Sequence, residues 1–271
     1  MSMLNNHFKQ GLRDGVTQIG IWAALAQACT TEIMAAAGFD WLLIDAEHGP
    51  NDLRSVLAQL RAASPHDTAV VVRPPSDDPA LLRQYLDAGV QTLLIPMVNS
   101  AAQARALVRT VSYPPRGTRG VASSLIRASR YGADVDYLSQ AAESLCVIAQ
   151  IESLAALDEL EGILAVPGID GVFFGPADLA ASMGHIGRAG HNDVQQALHD
   201  GIVRVRSAGG RCGIFCADEA QAQRYLDWGC SFAAVGSDVG LLAQGAQSLR
   251  TRYTDAVLAH APHRHAGGTA S

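Results

Sequence analysis

W-L-L-I-D-A-E-H-G-P-N-D, residues 41–52, opens as a short apolar run and closes on titratable side chains, Asp45, Glu47 and His48. Four or five apolar residues bounded by turn formers read as a strand buried on both faces. The next segment has helical spacing: over 51–63, Leu53, Val56, Leu57 and Leu60 fall on one face, and Asn51 stands where an N-cap is expected. Strand, polar loop, helix is half of a βαβ unit, and the rest of the chain repeats it.

Eight strand-like runs occur in all, at 16–22, 41–45, 69–73, 92–96, 146–151, 171–174, 212–216 and 232–236. Helical stretches separate them. Residues 78–88 begin with Asp78 then Pro79 and stop at Gly89. Residues 193–208 carry Val194, Ala197, Leu198, Ile202 and Val205 and end at Gly209, while 218–228 end at Gly229. No G-x-G-x-x-G comes after the first strand, so an open nucleotide-binding sheet is disfavoured. The α/β pattern predicts a (β/α)8 TIM barrel as one domain over 1–255, with 256–271, rich in Ala, Gly and His, as a disordered tail. One connection, 99–145, is long; it holds a helix at 101–111 and an Arg-rich part with Arg116, Arg119, Arg127 and Arg130 that reads as a solvated or subunit-facing surface.

Composition excludes several chemistries. The 20 cationic residues are all arginine but one, Lys9. A Schiff-base mechanism would need Lys9, which sits in a polar N-terminal stretch ahead of the first strand, and no G-K-[ST] exists for a phosphate loop. A net charge of −6 argues against nucleic acid as a partner. No apolar run reaches membrane length, and the first residues lack the apolar core of a signal peptide. The five cysteines contain no C-x-x-C, which fits a reducing cytoplasm. Cys212 and Cys216, four apart, read as small hydrophobes on one face.

In such a barrel, polar residues at the C-terminal ends of strands build the active site. Glu152 and Asp178, after neighbouring strands, make a hard oxygen pair suited to Mg²⁺, Mn²⁺ or a similar divalent ion. Each equally reads as a helix-start acid. His48 is the candidate general base, because an imidazole titrates near neutrality, with Asp45 placed to orient its ring. Arg73 ends a buried strand and needs an anion: a developing oxyanion, or Asp45 or Glu47 internally. The amides of Ala177 and Asp178, after Gly175–Pro176, can receive a carboxylate.

Several of these segments together resemble the metal-dependent pyruvate aldolases of the HpcH/HpaI family. They are F-D-W-L-L-I-D-A-E-H-G-P-N (39–51), V-V-V-R-P (70–74), T-L-L-I-P-M-V (92–98), Y-P-P-R-G-T-R-G-V (113–121), Q-I-E (150–152) and G-V-F-F-G-P-A-D-L (171–179). The resemblance covers roughly residues 7–255. It implies a phosphoenolpyruvate/pyruvate-type barrel assembled as a hexamer, with a divalent metal (Mg²⁺, Mn²⁺ or Co²⁺). It implies reversible cleavage of a 4-hydroxy-2-oxo acid, such as 4-hydroxy-2-oxoheptane-1,7-dioate, to pyruvate and an aldehyde, succinate semialdehyde. It makes His48 the proton acceptor, Glu152 and Asp178 the metal ligands, and Gln150, Ala177 and Asp178 the pyruvate contacts. Arg73 becomes the transition-state stabiliser. Asp87 becomes an acid that raises the basicity of His48 by way of Asp45, across a subunit boundary. Segments 184–191 and 235–240 lean towards related 2-dehydro-3-deoxyglucarate aldolases, citrate-lyase-like acyl-CoA lyases being a more distant alternative. Phe215 is larger than the aliphatic residue expected there and narrows the aldehyde side.

Overall fold

A computed structural model describes residues 5–259. Eight parallel strands close into a barrel in chain order. They are β1 (Gln18–Ala23), β2 (Trp41–Asp45), β3 (Ala69–Arg73), β4 (Thr92–Ile95), β5 (Cys146–Ile151), β6 (Gly171–Phe174), β7 (Cys212–Phe215) and β8 (Phe232–Ser237). The predicted (β/α)8 class and the number of strands hold. The chain divides into two compact units, Met1–Asp238, which holds the barrel, and Val239–Ser271. The last helix, Asp238–Ala259, runs into the stretch expected to be a tail. The remainder of that stretch, 260–271, lies outside the described residues. No helix among the described residues is long and apolar enough to cross a membrane.

Boundaries shift where local chemistry overrides hydropathy. The first strand begins at Gln18, because Gly15 (φ 72°) ends helix His7–Asp14 and the Val16 amide bonds back to Gly11. Asn51 is not the cap of helix Leu53–Ala63. Asp52 is, in a capping box with Ser55, while Asn51 gives its amide to the Asp45 carbonyl at 2.7 Å. The fourth strand stops before Pro96, which has no N–H to continue the ladder. Helix Pro79–Asp87 starts as expected, with the Asp78 side chain accepting from Leu81 N at 2.8 Å.

Strand periodicity sorts the interior. Leu42, Ile44 and Val72 face the helices in the outer core. Trp41, Leu43, Val71, Ile148 and Phe173 point inward. Helix His7–Asp14 plugs the N-terminal end with Phe8 and Leu12; the Phe8 ring lies 5.7 Å from Trp41 and 5.2 Å from Phe232. Two inward glycines make room: a Cβ on Gly20 would stand 2.2 Å from the Trp41 ring, and one on Gly213 2.2 Å from Phe232. Lys9 rides on this plug. It is buried rather than in a solvated leader, and pairs with Asp170 at 3.1 Å. Its place at the N-terminal end leaves it remote from the strand ends where sites form, so the Schiff-base exclusion stands.

Part of the long connection packs on itself. Ile126, Ala128, Tyr137 and Ala141 form a small core of their own, with Tyr113 packed on it. Arg119 is not a surface residue: it is buried against Tyr113, 4.5 Å from the ring centroid, and bonds Asp87 at 2.8 Å. Arg127 donates to the Ala88 carbonyl at 3.0 Å. Both contacts lie just ahead of β4, at the N-terminal end of the barrel. Cys212 and Cys216 pack on the outer core, in keeping with their reading as small hydrophobes.

Candidate active site

The inward period that buries Trp41 and Leu43 makes Asp45 the last inward residue of β2. The same period sets Arg73 two positions beyond Val71 and Gln150 two beyond Ile148. Asp45 and Arg73 are register partners on neighbouring strands. Apolar layers below and polar residues above are thus one alternation read to its end.

Arg73 is buried and held on both sides. Its Nε and Nη2 donate to the Asp45 carboxylate at 3.0 and 2.7 Å, and Nη1 stands 3.0 Å from Glu47 Oε2. The internal-pair reading of Arg73 is therefore real, and it is what fixes the cation at the mouth. Burial alone would raise the Asp45 carboxyl. The Arg73 bonds and charge outweigh it, helped by Trp22 Nε1 at 3.1 Å and the His48 amide, so Asp45 stays below the usual carboxylate range. Glu47 moves the other way, raised by burial, with Arg73 and His48 opposing and Asp45 and Asp178 adding repulsion.

His48 projects from the loop, its side chain 67 % exposed, with Nε2 3.9 Å from Glu47 Oε2. Asp45 orients it through the main chain rather than the ring: Asp45 Oδ1 accepts the amides of Glu47 and His48 at 3.1 and 3.3 Å. Gly49 completes the turn, since a Cβ there would meet the Asp45 carbonyl at 2.5 Å.

Glu152 lies just past β5 and is 2 % exposed. It is not a helix cap. Ser153 caps helix Leu154–Asp158, accepting from Ala156 N at 3.1 Å. Glu152 instead takes the Met97 amide on Oε1 at 2.7 Å and the Gln150 amide on Oε2. Met97 offers that amide from a left-handed conformation, φ 54°. Burial raises the Glu152 carboxyl; those two bonds oppose the rise, and the charges of Asp178 and Glu47 add to it. Gly175 is required beside it, because a Cβ would sit 2.6 Å from Glu152 Oε2. Asp178 lies in the first turn of helix Pro176–Ser182, exposed beside Ala177, and Gly175 holds the N-cap position with no side-chain bond. Asp178 makes no hydrogen bond or ion pair among the described residues. Glu47, Glu152 and Asp178 thus repel one another across the mouth with one guanidinium to balance them. Gln150 Oε1 is buried there without a partner. An all-oxygen donor set, an orphaned amide oxygen and uncompensated carboxylates fit a hard divalent cation held by Glu152 and Asp178.

The structure gathers Asp45, Glu47, His48 and Arg73 on one side and Gln150, Glu152, Ala177 and Asp178 on the other. It does not bring Asp87 to them within the chain. Asp87 ends its helix ahead of β4, on Arg119, at the opposite end of the barrel. Sequence reasoning passes over Trp22, whose ring stacks 5.0 Å below the Arg73 guanidinium. The inward period of β1, Gly20 then Trp22, is the available signal. It also passes over the Met97 amide, which side-chain chemistry cannot reveal.

A sequence profile of the HpcH/HpaI aldolase/citrate lyase family matches residues 18–245. The chain is 53% identical over 253 residues to a hydroxypyruvate/pyruvate aldolase of Pseudomonas aeruginosa, covering 93% of this chain and 94% of that protein. It is 51% identical over 251 residues to a 4-hydroxy-2-oxo-heptane-1,7-dioate aldolase of Klebsiella pneumoniae, covering 93% and 95%. Among solved structures, an HpcH/HpaI aldolase/citrate lyase family protein from Burkholderia cenocepacia superposes with a TM-score of 0.89 at 40% identity, covering 92% of this chain and 100% of that one.

Proposed function

Since the chain belongs to the HpcH/HpaI aldolase/citrate lyase family and is an aldolase, a carbon–carbon lyase, we propose that it is a divalent-metal-dependent enzyme cleaving 4-hydroxy-2-oxo acids reversibly to pyruvate and an aldehyde. The observation that carries this reading is the set of three mutually repelling carboxylates facing one clamped guanidinium at the strand ends. Glu152 and Asp178 hold the ion, which supplies Lewis acidity towards the 2-oxo and carboxylate oxygens of the substrate. Mg²⁺, Mn²⁺ and Co²⁺ all suit the donor set.

Gln150, Ala177 and Asp178 line the pyruvate end. His48 takes the proton of the 4-hydroxyl. The electrons of that O–H bond form the aldehyde carbonyl, the C3–C4 bond breaks, and its pair passes to C3 as the enolate of pyruvate. Protonation at C3 completes pyruvate. Arg73 stabilises the charge that develops on oxygen, and a preplaced cation of this kind contributes on the order of 3–4 kcal/mol. Because Asp45 and Glu47 hold three of its nitrogens, no reorientation is needed during the reaction. The role assigned to Asp87, supporting the basicity of His48 by way of Asp45, is proposed across a subunit boundary in a hexamer, since its own chain keeps it at the far end.

4-Hydroxy-2-oxoheptane-1,7-dioate, giving succinate semialdehyde, is the proposed substrate. A second donor, hydroxypyruvate, is favoured by the names of relatives of similar identity. On the aldehyde side, Phe215 meets Trp22 edge-on at 5.2 Å and narrows the mouth. The test is pyruvate release from the heptanedioate substrate before and after exhaustive chelation. Activity lost to EDTA and restored by Mn²⁺ is expected; turnover that survives chelation overturns the reading.

A further inference from the structure

The aldol chemistry makes no use of the segment G-H-I-G-R-A-G-H (184–191) or of the residues just beyond it. Its two histidines come together there. The His185 and His191 rings stack with centroids 3.7 Å apart and planes 15° from parallel. Asp193 Oδ2 stands 3.4 Å from His185 Nε2 and 3.7 Å from His191 Nδ1. One donor atom from each of the three lies within 4.8 Å of the others. Ligands placed about 2.0–2.1 Å from a tetrahedral ion are separated by roughly 3.4 Å. Two of the distances are already near that value; the third closes only when the stacked rings turn out of parallel, because an imidazole binds an ion in its own ring plane.

We infer that His185, His191 and Asp193 form a second metal site, for a zinc-class ion, separate from the oxygen site of Glu152 and Asp178. The chemistry of the donors separates the two. Two imidazoles and one carboxylate favour Zn²⁺, Ni²⁺ or Co²⁺ and give Mg²⁺ little. Both rings are partly buried, with side chains 19 % and 33 % exposed, which restrains their rotamers, whereas Asp193 is 67 % exposed and leaves the fourth position to water. His191 Nδ1 accepts the Asp193 amide at 3.3 Å as the cap of helix Asn192–Ser207, so an ion bound there takes over that lone pair and releases the cap.

His185 carries a second obstacle. Arg188 Nη2 lies 3.2 Å from His185 Nδ1, and a guanidinium can only donate, so the neutral ring keeps its proton on Nε2, towards Asp193. Metal binding moves that proton to Nδ1 and turns the exposed Arg188 out to solvent. The geometry therefore makes Arg188 a brake on the site. Metal bound here ties the connection after helix Pro176–Ser182 to the start of the next helix.

The experiment is a Co²⁺ titration of the EDTA-stripped full chain, in a background with His260, His263 and His265 changed to Ala so that the tail contributes no imidazole. A four-coordinate nitrogen-containing site gives an intense visible band, and a six-coordinate oxygen site does not. The expected band is present in that background and with Glu152→Ala added, is displaced by Zn²⁺ and persists in excess Mg²⁺. His185→Ala and His191→Ala each abolish it, and Arg188→Ala strengthens Zn²⁺ affinity by calorimetry several-fold. A band that survives both histidine changes, or no band in the background protein, overturns the inference. Neither result touches the aldolase reading, which the chelation assay tests through pyruvate release.

Discussion

The two ends of the barrel are built from the same alternation and put it to opposite uses. At the N-terminal end the inward positions are aromatic and filled: Phe8, Trp41 and Phe232 interlock, and the polar side chains beside the plug helix are matched. Asn6 Nδ2 donates to the Ser144 carbonyl at 2.8 Å, Gln18 to the Phe8 carbonyl at 3.1 Å, and Lys9 faces Asp170. At the C-terminal end the inward positions are charged and only partly matched, with Glu47 and Glu152 raised and Gln150 Oε1 without a partner. The filled end secures the barrel. The unbalanced end holds the free energy that ligand binding can recover.

Substitutions at each end sharpen this contrast, because activity and stability should separate. The largest effect expected is for His48→Ala, which should lower kcat by about 10²–10⁴ while leaving divalent-metal affinity and Tm in place; unchanged kcat removes His48 from the base role. Phe8→Ala at the other end should cost about 3–5 kcal/mol in denaturant unfolding with little change in kcat of the folded enzyme. A matching loss of kcat would mean that the ends are not independent. Gly175→Ala pushes a methyl into Glu152 and should weaken metal binding roughly tenfold to a hundredfold by calorimetry, with Tm of the metal-free protein lowered as well because the methyl also meets the buried Glu152 Cβ.

The smallest effect is in the pH dependence of the metal-free protein. A carboxyl whose folded pKa is raised contributes stability that is present below its unfolded pKa and lost as pH rises through the folded one. Glu152 is such a group, so Glu152→Gln should raise Tm at neutral pH and flatten its decline with pH, while abolishing metal binding. Asp45 has the opposite sign. Its contribution is present above the usual carboxylate range and lost as pH falls through its depressed value, so Asp45→Asn should lower Tm at neutral pH and reduce the acid sensitivity.

Much of this is legible in the residues. The eight strands emerge from apolar runs, and all but the first begin and end within about one residue of the observed limits because Gly, Pro and Asp punctuate them. Arg73, Gln150 and Glu152 are legible as strand-end polar residues, since a barrel has only one use for them. Three things are not. The expected Asn51 cap is lost because Asn51 is drawn back to the Asp45 carbonyl by a tertiary contact that spacing does not encode. Arg119 reads as surface because an arginine among arginines gives no sign that two tyrosine rings and Asp87 enclose it. The Met97 amide escapes because any residue has one, and only its left-handed backbone aims it at Glu152.

The position of Lys9 has a practical meaning beyond folding. It is the single lysine of the chain and its side chain is 9 % exposed, engaged with Asp170. Amine-directed crosslinkers, fluorophore esters and aldehyde-activated resins therefore find no open lysine anywhere on the protein. Coupling through such reagents is confined to what the chain terminus offers. A lysine introduced at a chosen surface position would then be the one open lysine of the chain, and would favour a single orientation of the enzyme on a support.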